Sequence, residues 1–283
     1  MKDTYFENQV AVVTGAGGTL CSAIAIDLSR LGAKVALIGR TEEKLQKTAR
    51  EIESLGGVYG IYPGDVTDET RMMEIADQVE RDLGPCRFLI NGAGGNQMKA
   101  MTSDVYFQPD ELKDTPDAPA GFFNLDVKVI ESVLTINTIG SLVPIRVFAR
   151  QMLANGNRGA ILNFASMNSY RPLTKVPAYA MSKAAVVNMT QWLATYFGPT
   201  GIRINAVAPG FFVNERSVKY LGSPEIGLTP RGEKVIGHTP MQRFGQPGDL
   251  LGCVRFLLDD RAAAFVTGIT VPVDGGFLSH PGI

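Results

Sequence analysis

Tyr179 and Lys183, in Tyr179-Ala180-Met181-Ser182-Lys183, open a stretch whose apolar residues Val186, Met189 and Leu193 recur at helical spacing. Residues at i and i+4 share a helix face, so the Lys183 ammonium is expected beside the Tyr179 phenol. A free tyrosine titrates near about 10, and a neighbouring cation favours phenolate, which suits proton exchange with a carbonyl oxygen at working pH. Alone, this pair is common on solvated helices, so its meaning depends on its surroundings. Upstream, Ser166 follows the apolar run 161–164. Asn137 stands inside the helical pattern Ile136-Asn137-Thr138-Ile139-Gly140, where an amide without partners would be a liability.

A second cluster, Thr14-Gly15-Ala16-Gly17-Gly18-Thr19-Leu20-Cys21, follows the apolar run 10–13 and opens a helical pattern. Glycines at a strand-to-helix turn let backbone N–H groups approach a pyrophosphate, and the helix N-terminus favours its charge. A plain tight turn would use the same glycines. At the end of the next apolar run stand Gly39 and Arg40. There an acidic side chain would accept from a ribose 2′-OH, whereas a basic one would pair with a 2′-phosphate. The missing carboxylate and the guanidinium tilt the cofactor slightly toward NADP(H) over NAD(H). The alternative is that Arg40 is a solvated residue ahead of Thr41 and Glu42.

The elements that must position these groups alternate along the chain. Seven short apolar runs, 10–13, 35–38, 58–62, 87–90, 160–164, 202–207 and 270–273, are separated by segments of helical periodicity. That rhythm predicts a single-domain α/β fold over 1–283, a doubly wound parallel sheet of about seven strands with helices on both faces. Two stretches break it, 96–126 and 211–245, rich in Pro, Gly or Asp and each following a strand's carboxyl end, where ligands bind in such sheets. The first is expected as an insertion over the substrate pocket and the second as a mobile substrate loop.

Composition removes other classes. The 27 basic and 28 acidic residues nearly balance, so no net field draws the chain to nucleic acid or anionic lipid. No run was found to approach the roughly 18 apolar residues of a membrane span. A small-molecule partner and a cytoplasmic location are the expectation. Three scattered cysteines and two histidines cannot assemble a spaced zinc site, so no metal is expected.

Taken together, these motifs resemble the short-chain dehydrogenase/reductase family over nearly the whole chain. The glycine cluster is similar to its T-G-x-x-x-G-x-G loop, with Thr19 and Cys21 standing where two glycines are usual. Asp65-Val66 resembles the motif that contacts adenine, Asn91-Gly92-Ala93-Gly94 the turn after the fourth strand, and the stretch ending Pro209-Gly210 the approach to the nicotinamide. Val273-Asp274-Gly275-Gly276 resembles the family's C-terminal signature.

The resemblance implies a Rossmann-type fold and a catalytic tetrad of Asn137, Ser166, Tyr179 and Lys183. It implies a dinucleotide held by Thr14, Gly15, Gly17, Gly18, Thr19, Leu20, Arg40, Asp65, Val66, Asn91, Ala93, Gly94, Tyr179, Lys183, Pro209 and Gly210. A homo-oligomer, tetramer or dimer, is implied as well.

The Gly-Gly-Thr-Leu-Cys turn, Asn91 to Asn96, Leu228-Thr229-Pro230-Arg231-Gly232 and His238-Thr239-Pro240-Met241-Gln242-Arg243-Phe244-Gly245 resemble the D-mannonate oxidoreductase (fructuronate reductase) branch. A sugar acid needs cationic or amide anchors, for which Asn96, Lys99, Asn168, Arg171, Asn214 and Arg216 are the candidates. Gluconate 5-dehydrogenase and 3-oxoacyl reductase activities, or a catalytically inert dinucleotide sensor, stay open.

Overall fold

The computed structural model describes residues 4–113, 115, 117–154, 156, 159–214, 217–223 and 226–280. β-Branched runs form β1 (Val10–Thr14), β2 (Lys34–Gly39), β3 (Tyr59–Pro63), β4 (Cys86–Asn91), β5 (Ala160–Phe164) and β6 (Arg203–Pro209). Between them lie α1 (Thr19–Arg30), α2 (Glu42–Ser54), α3 (Glu69–Asp82), α4 (Val127–Ala154) and α5 (Pro177–Phe197). After β6 come α6 (Val218–Leu221), a small antiparallel hairpin of β7 (Gly222–Ser223) and β8 (Gly227–Leu228), α7 (Pro230–Gly237), α8 (Gly248–Leu258), α9 (Asp260–Ala263) and β9 (Thr270–Val273).

The large sheet runs β3-β2-β1-β4-β5-β6-β9, all neighbours parallel, as the alternating pattern anticipates. Strand order reverses between β1 and β4, and that switch point opens the crevice used below. Successive residues of β1 serve opposite faces, as a pleated strand requires. Val13 packs with Ile24, Leu28, Leu45, Ile52 and Leu250 under α1, α2 and α8. Val12 packs with Met72, Ile75, Phe148 and Leu193 under α3, α4 and α5. Fully burying side chains such as Leu28, Leu37, Phe88 and Phe148 contributes about 2 kcal/mol each.

Two local devices fix the elements around the site. Asp68 caps α3 by accepting from Arg71 N at 3.0 Å. Arg203 at the start of β6 is buried, and it donates to Asp260 Oδ1 at 2.9 and 2.7 Å and to the Leu257 carbonyl at 2.7 Å, pinning the sheet to α8 and α9. Burial would raise the Asp260 carboxyl, but the Arg203 hydrogen bond and the Arg87 and Arg203 charges hold it below the usual range.

α4 is, among the described helices, the one long and apolar enough to cross a membrane by length and composition. Its apolar residues pack against α3, α5 and β4, and its buried Asn137, Ser141 and Gln151 suit that packing.

The stretch 96–126 is wired to itself where it is described. Glu111 is buried and accepts from Gln108 N at 3.1 Å and Phe122 N at 3.0 Å. Asn124 accepts from Gly121 N at 2.7 Å and donates to the Glu111 and Pro119 carbonyls at 3.2 and 2.9 Å. Two carbonyls and three amides that a loop would otherwise leave to solvent are thereby satisfied internally.

Candidate active site

Pro177 in the first turn of α5 presets the backbone that carries Tyr179 and Lys183. The two share a face, with Lys183 Nζ 5.7 Å from the Tyr179 ring centroid. Lys183 is buried, and its Nζ donates to the Phe164 carbonyl at the end of β5 at 2.7 Å. Burial pulls the Lys183 ammonium down to about 8, with Cys21 acting in the opposite sense.

The phenol departs from the sequence expectation. Burial raises the Tyr179 pKa, and the opposing influence is a hydrogen bond with the Ser166 hydroxyl rather than the Lys183 charge. The lysine directs its hydrogen bond to the strand end.

Ser166 is held in turn. It caps the short turn Met167–Ser169, its Oγ accepting from Asn168 N at 3.2 Å, while Ser169 Oγ donates to the Lys183 carbonyl at 2.7 Å. The serine turn is thus docked on the helix that carries the tyrosine. Asn137 lies fully buried in the middle of α4. Its Nδ2 donates to the Gly95 and Val133 carbonyls at 2.8 Å each, and its Oδ1 accepts from Gly95 N at 3.1 Å. A mid-helix asparagine is therefore satisfied by clamping the turn after β4 against α4.

The glycine cluster lines a cleft of about 280 Å³ that also meets Arg40, Val66, Ala93 and Gly94. Gly15 adopts φ +66°, and a Cβ there would stand 2.8 Å from Ala93 N, so the turn requires glycine. Gly18 is the N-cap of α1 and supplies no side-chain cap, and the first turn carries no acid, leaving N–H donors for an anion. At the cleft's far end the Arg40 guanidinium is exposed and 3.9 Å from Asp65 Oδ2. Burial would raise the Asp65 carboxyl, but two hydrogen bonds from Thr67 and the Arg40 charge hold it below the usual range.

The departure at Cys21 has a local explanation. Its buried thiol fills the space over Gly92, where a Cβ would come within 2.0 Å of Sγ. Burial pushes that thiol up to about 12. Through Gly15, Gly18, Thr19, Gly92, Gly94 and Asn214 the cleft continues into a cavity of about 820 Å³ that reaches Ser166, Tyr179 and Lys183. A glycine-lined cleft with an uncapped helix end, opening onto a cavity lined by Ser166, Tyr179 and Lys183, suits a dinucleotide and a second small molecule side by side.

Comparison with known proteins agrees with that geometry. Residues 9–220 match the short chain dehydrogenase family. The chain belongs to this family. Its members are oxidoreductases acting on CH–OH groups with a nicotinamide dinucleotide. A Haemophilus influenzae protein named only as an uncharacterized oxidoreductase is 45% identical over 278 residues, 98% of this chain and 95% of that one. Gluconate 5-dehydrogenase of Gluconobacter oxydans is 32% identical over 266 residues, 94% of this chain and 93% of its own. A crystal structure of a candidate D-mannonate oxidoreductase from Haemophilus influenzae, with bound NAD, superposes with TM-score 0.91 at 44% identity, covering 98% of this chain and 97% of that one.

The structure of this dehydrogenase distributes the remaining sequence candidates unevenly. Leu20, Pro209 and Gly210 line the larger cavity. Thr14 and Asn91 lie behind the lining. Thr14 Oγ1 accepts from Gly92 N and Ala93 N at 3.1 and 3.2 Å, fixing the turn after β4. Asn91 Nδ2 donates to Asn163 Oδ1 at 3.0 Å within the sheet.

Among the substrate candidates, Asn96 and Asn214 line the larger cavity. Lys99 is exposed outside that lining. Asn168 accepts from Leu173 N at 2.9 Å, and Arg171 donates to the His280 carbonyl at 3.0 Å, so both are engaged elsewhere. Arg216 lies outside the described residues. The cavity wall also includes Gln97, Met101, Phe212, Lys219 and Tyr220, none of which sequence reasoning singled out. Their position inside the two irregular stretches was the available signal.

Proposed function

We propose that this dehydrogenase interconverts a ketone and a secondary alcohol on a sugar acid, with D-fructuronate and D-mannonate as the pair. The observation that carries the chemistry is that Ser166, Tyr179 and buried Lys183 line one cavity continuous with the glycine-lined cleft. Bound in that cleft, the nicotinamide dinucleotide supplies the hydride for reduction or takes it up in oxidation. Gly15, Gly17 and Gly18 admit its pyrophosphate to the uncapped start of α1.

In the reductive direction Ser166 donates to the substrate carbonyl oxygen and Tyr179 delivers the proton to that oxygen as it becomes a hydroxyl. Lys183 holds the end of β5 through the Phe164 carbonyl and, through its own carbonyl, the turn that carries Ser166, which keeps the serine and the tyrosine on one cavity wall. Asn137 keeps the turn at Gly95, and with it the cavity wall, in place.

For the cofactor, the reading of NADP(H) slightly ahead of NAD(H) is supported by Arg40, Thr41 and Lys44, which line the cleft and suit a 2′-phosphate. The NAD in the Haemophilus influenzae structure argues for tolerance of both. For the substrate, the amide-bearing wall of Asn96, Gln97 and Asn214 suits hydroxyl groups.

The test is kcat/KM for D-fructuronate against 5-ketogluconate and an acetoacetyl thioester, followed by nicotinamide absorbance. D-Fructuronate should lead. A lead for 5-ketogluconate would transfer the assignment to the gluconate 5-dehydrogenase activity of the Gluconobacter relative.

A further inference from the structure

The charge on the cavity wall is unevenly placed. Of the described residues that line it, only Lys183 and Lys219 carry a charge, and no carboxylate does. Lys183 is buried, with its Nζ engaged by the Phe164 carbonyl. Lys219 differs. It rises from α6, just beyond the end of β6, exposed to solvent, and among the described residues no ion pair holds it.

Its surroundings keep it near the mouth of the cavity. The Lys219 ammonium lies 4.8 Å from the Tyr220 ring centroid, a cation–π contact that leaves its N–H donors available. Tyr220 in turn donates from its hydroxyl to Met98 Sδ at 3.0 Å, tying α6 to the stretch 96–126 on the cavity's other side.

From this we infer that Lys219 is the carboxylate anchor of the substrate cavity, setting a preference for acids over neutral polyols. The inference rests on the sugar-acid reading above. A substrate whose carbonyl is held by Ser166 must direct its charged end along the cavity, and among the described lining residues Lys219 is the cation outside an ion pair. An open site screens the attraction, so the effect is specificity of about tenfold rather than an absolute requirement. Because the attraction is formed equally in the bound and reacting states, it belongs in KM.

The experiment uses the full-length holoenzyme with NAD⁺ and NADP⁺, comparing D-mannonate and D-gluconate with D-mannitol and D-glucitol in wild type, Lys219→Gln and Lys219→Arg. Wild type should favour the acids. Lys219→Gln should raise KM for the acids about tenfold, leave kcat and the polyol KM values close to wild type, and flatten the dependence of acid KM on added salt. Lys219→Arg should restore most of the loss. If wild type prefers acids but Lys219→Gln leaves their KM unchanged, or shifts acids and polyols alike, the anchor assignment is wrong while the sugar-acid reading stands. If wild type uses no acid faster than its neutral counterpart, both fall.

Discussion

Substituting Gly92 by alanine should expose the pairing that lets Cys21 replace a glycine in the cofactor loop. A Cβ on Gly92 would stand 2.0 Å from Cys21 Sγ, 3.3 Å from the Thr14 carbonyl oxygen and 3.6 Å from Phe164 Cδ2. The thiol is fixed on the first turn of α1 and buried, so the chain must yield by moving that turn. Overpacking of this kind costs about 2 kcal/mol, which for a chain of this size lowers Tm by roughly 5 °C. Dinucleotide affinity should fall too, because α1 begins the phosphate-facing cleft.

Gly92→Ala/Cys21→Gly removes the obstruction. Its cost should therefore be smaller than the sum of the single changes by about 1 kcal/mol or more, even though glycine weakens a helix. Thermal unfolding by circular dichroism and dinucleotide titration by fluorescence would complete the cycle. Additive costs, or a neutral Gly92→Ala, would show that the thiol does not occupy the space over Gly92.

Three further outcomes follow from particular groups. The buried Lys183 ammonium titrates at about 8, below an ordinary lysine, so the folded state is penalised by its charge. The penalty is complete below about 8, declines as pH rises toward the ordinary lysine value and vanishes above it. Lys183→Met removes this penalty along with the bond to the Phe164 carbonyl, so its stability relative to wild type should be highest at pH 7 and fall by about 2 kcal/mol as pH rises through and above 8, as thermal melts across that window would show. Arg40→Ala should weaken NADP(H) about tenfold while sparing NAD(H), and equal loss of both would make Arg40 ordinary surface. Light scattering should find a dimer or tetramer at micromolar concentration, because exposed Trp192 and Tyr196 stack on the surface of α5 beside exposed Leu153, and a monomer would contradict this.

Much of the architecture was legible because a parallel sheet buried on both faces is written as β-branched runs. The runs at 10–13 and 202–207 lie within β1 and β6 or begin one residue early. Tyr179 and Lys183 were legible because helical spacing alone puts them on one face.

Other features depend on partners distant in sequence. The meeting of Ser166 with Tyr179 on one cavity wall, the fit of Cys21 over Gly92, and the Tyr220 contact with Met98 beside Lys219 each join segments that only the fold brings together. For the same reason Asn168 and Arg171, attractive by residue type, proved to be committed to Leu173 and His280.

The central claim is that Tyr179 transfers the proton while the dinucleotide transfers the hydride. Its most direct measurement is kcat for Tyr179→Phe beside the Kd for the nicotinamide dinucleotide, in the same preparation and with D-fructuronate as substrate. Turnover should fall by about 10³-fold while Kd stays within about twofold of wild type, because the phenol oxygen is lost and the glycine-lined cleft is untouched. Near-wild-type turnover in Tyr179→Phe would contradict the account.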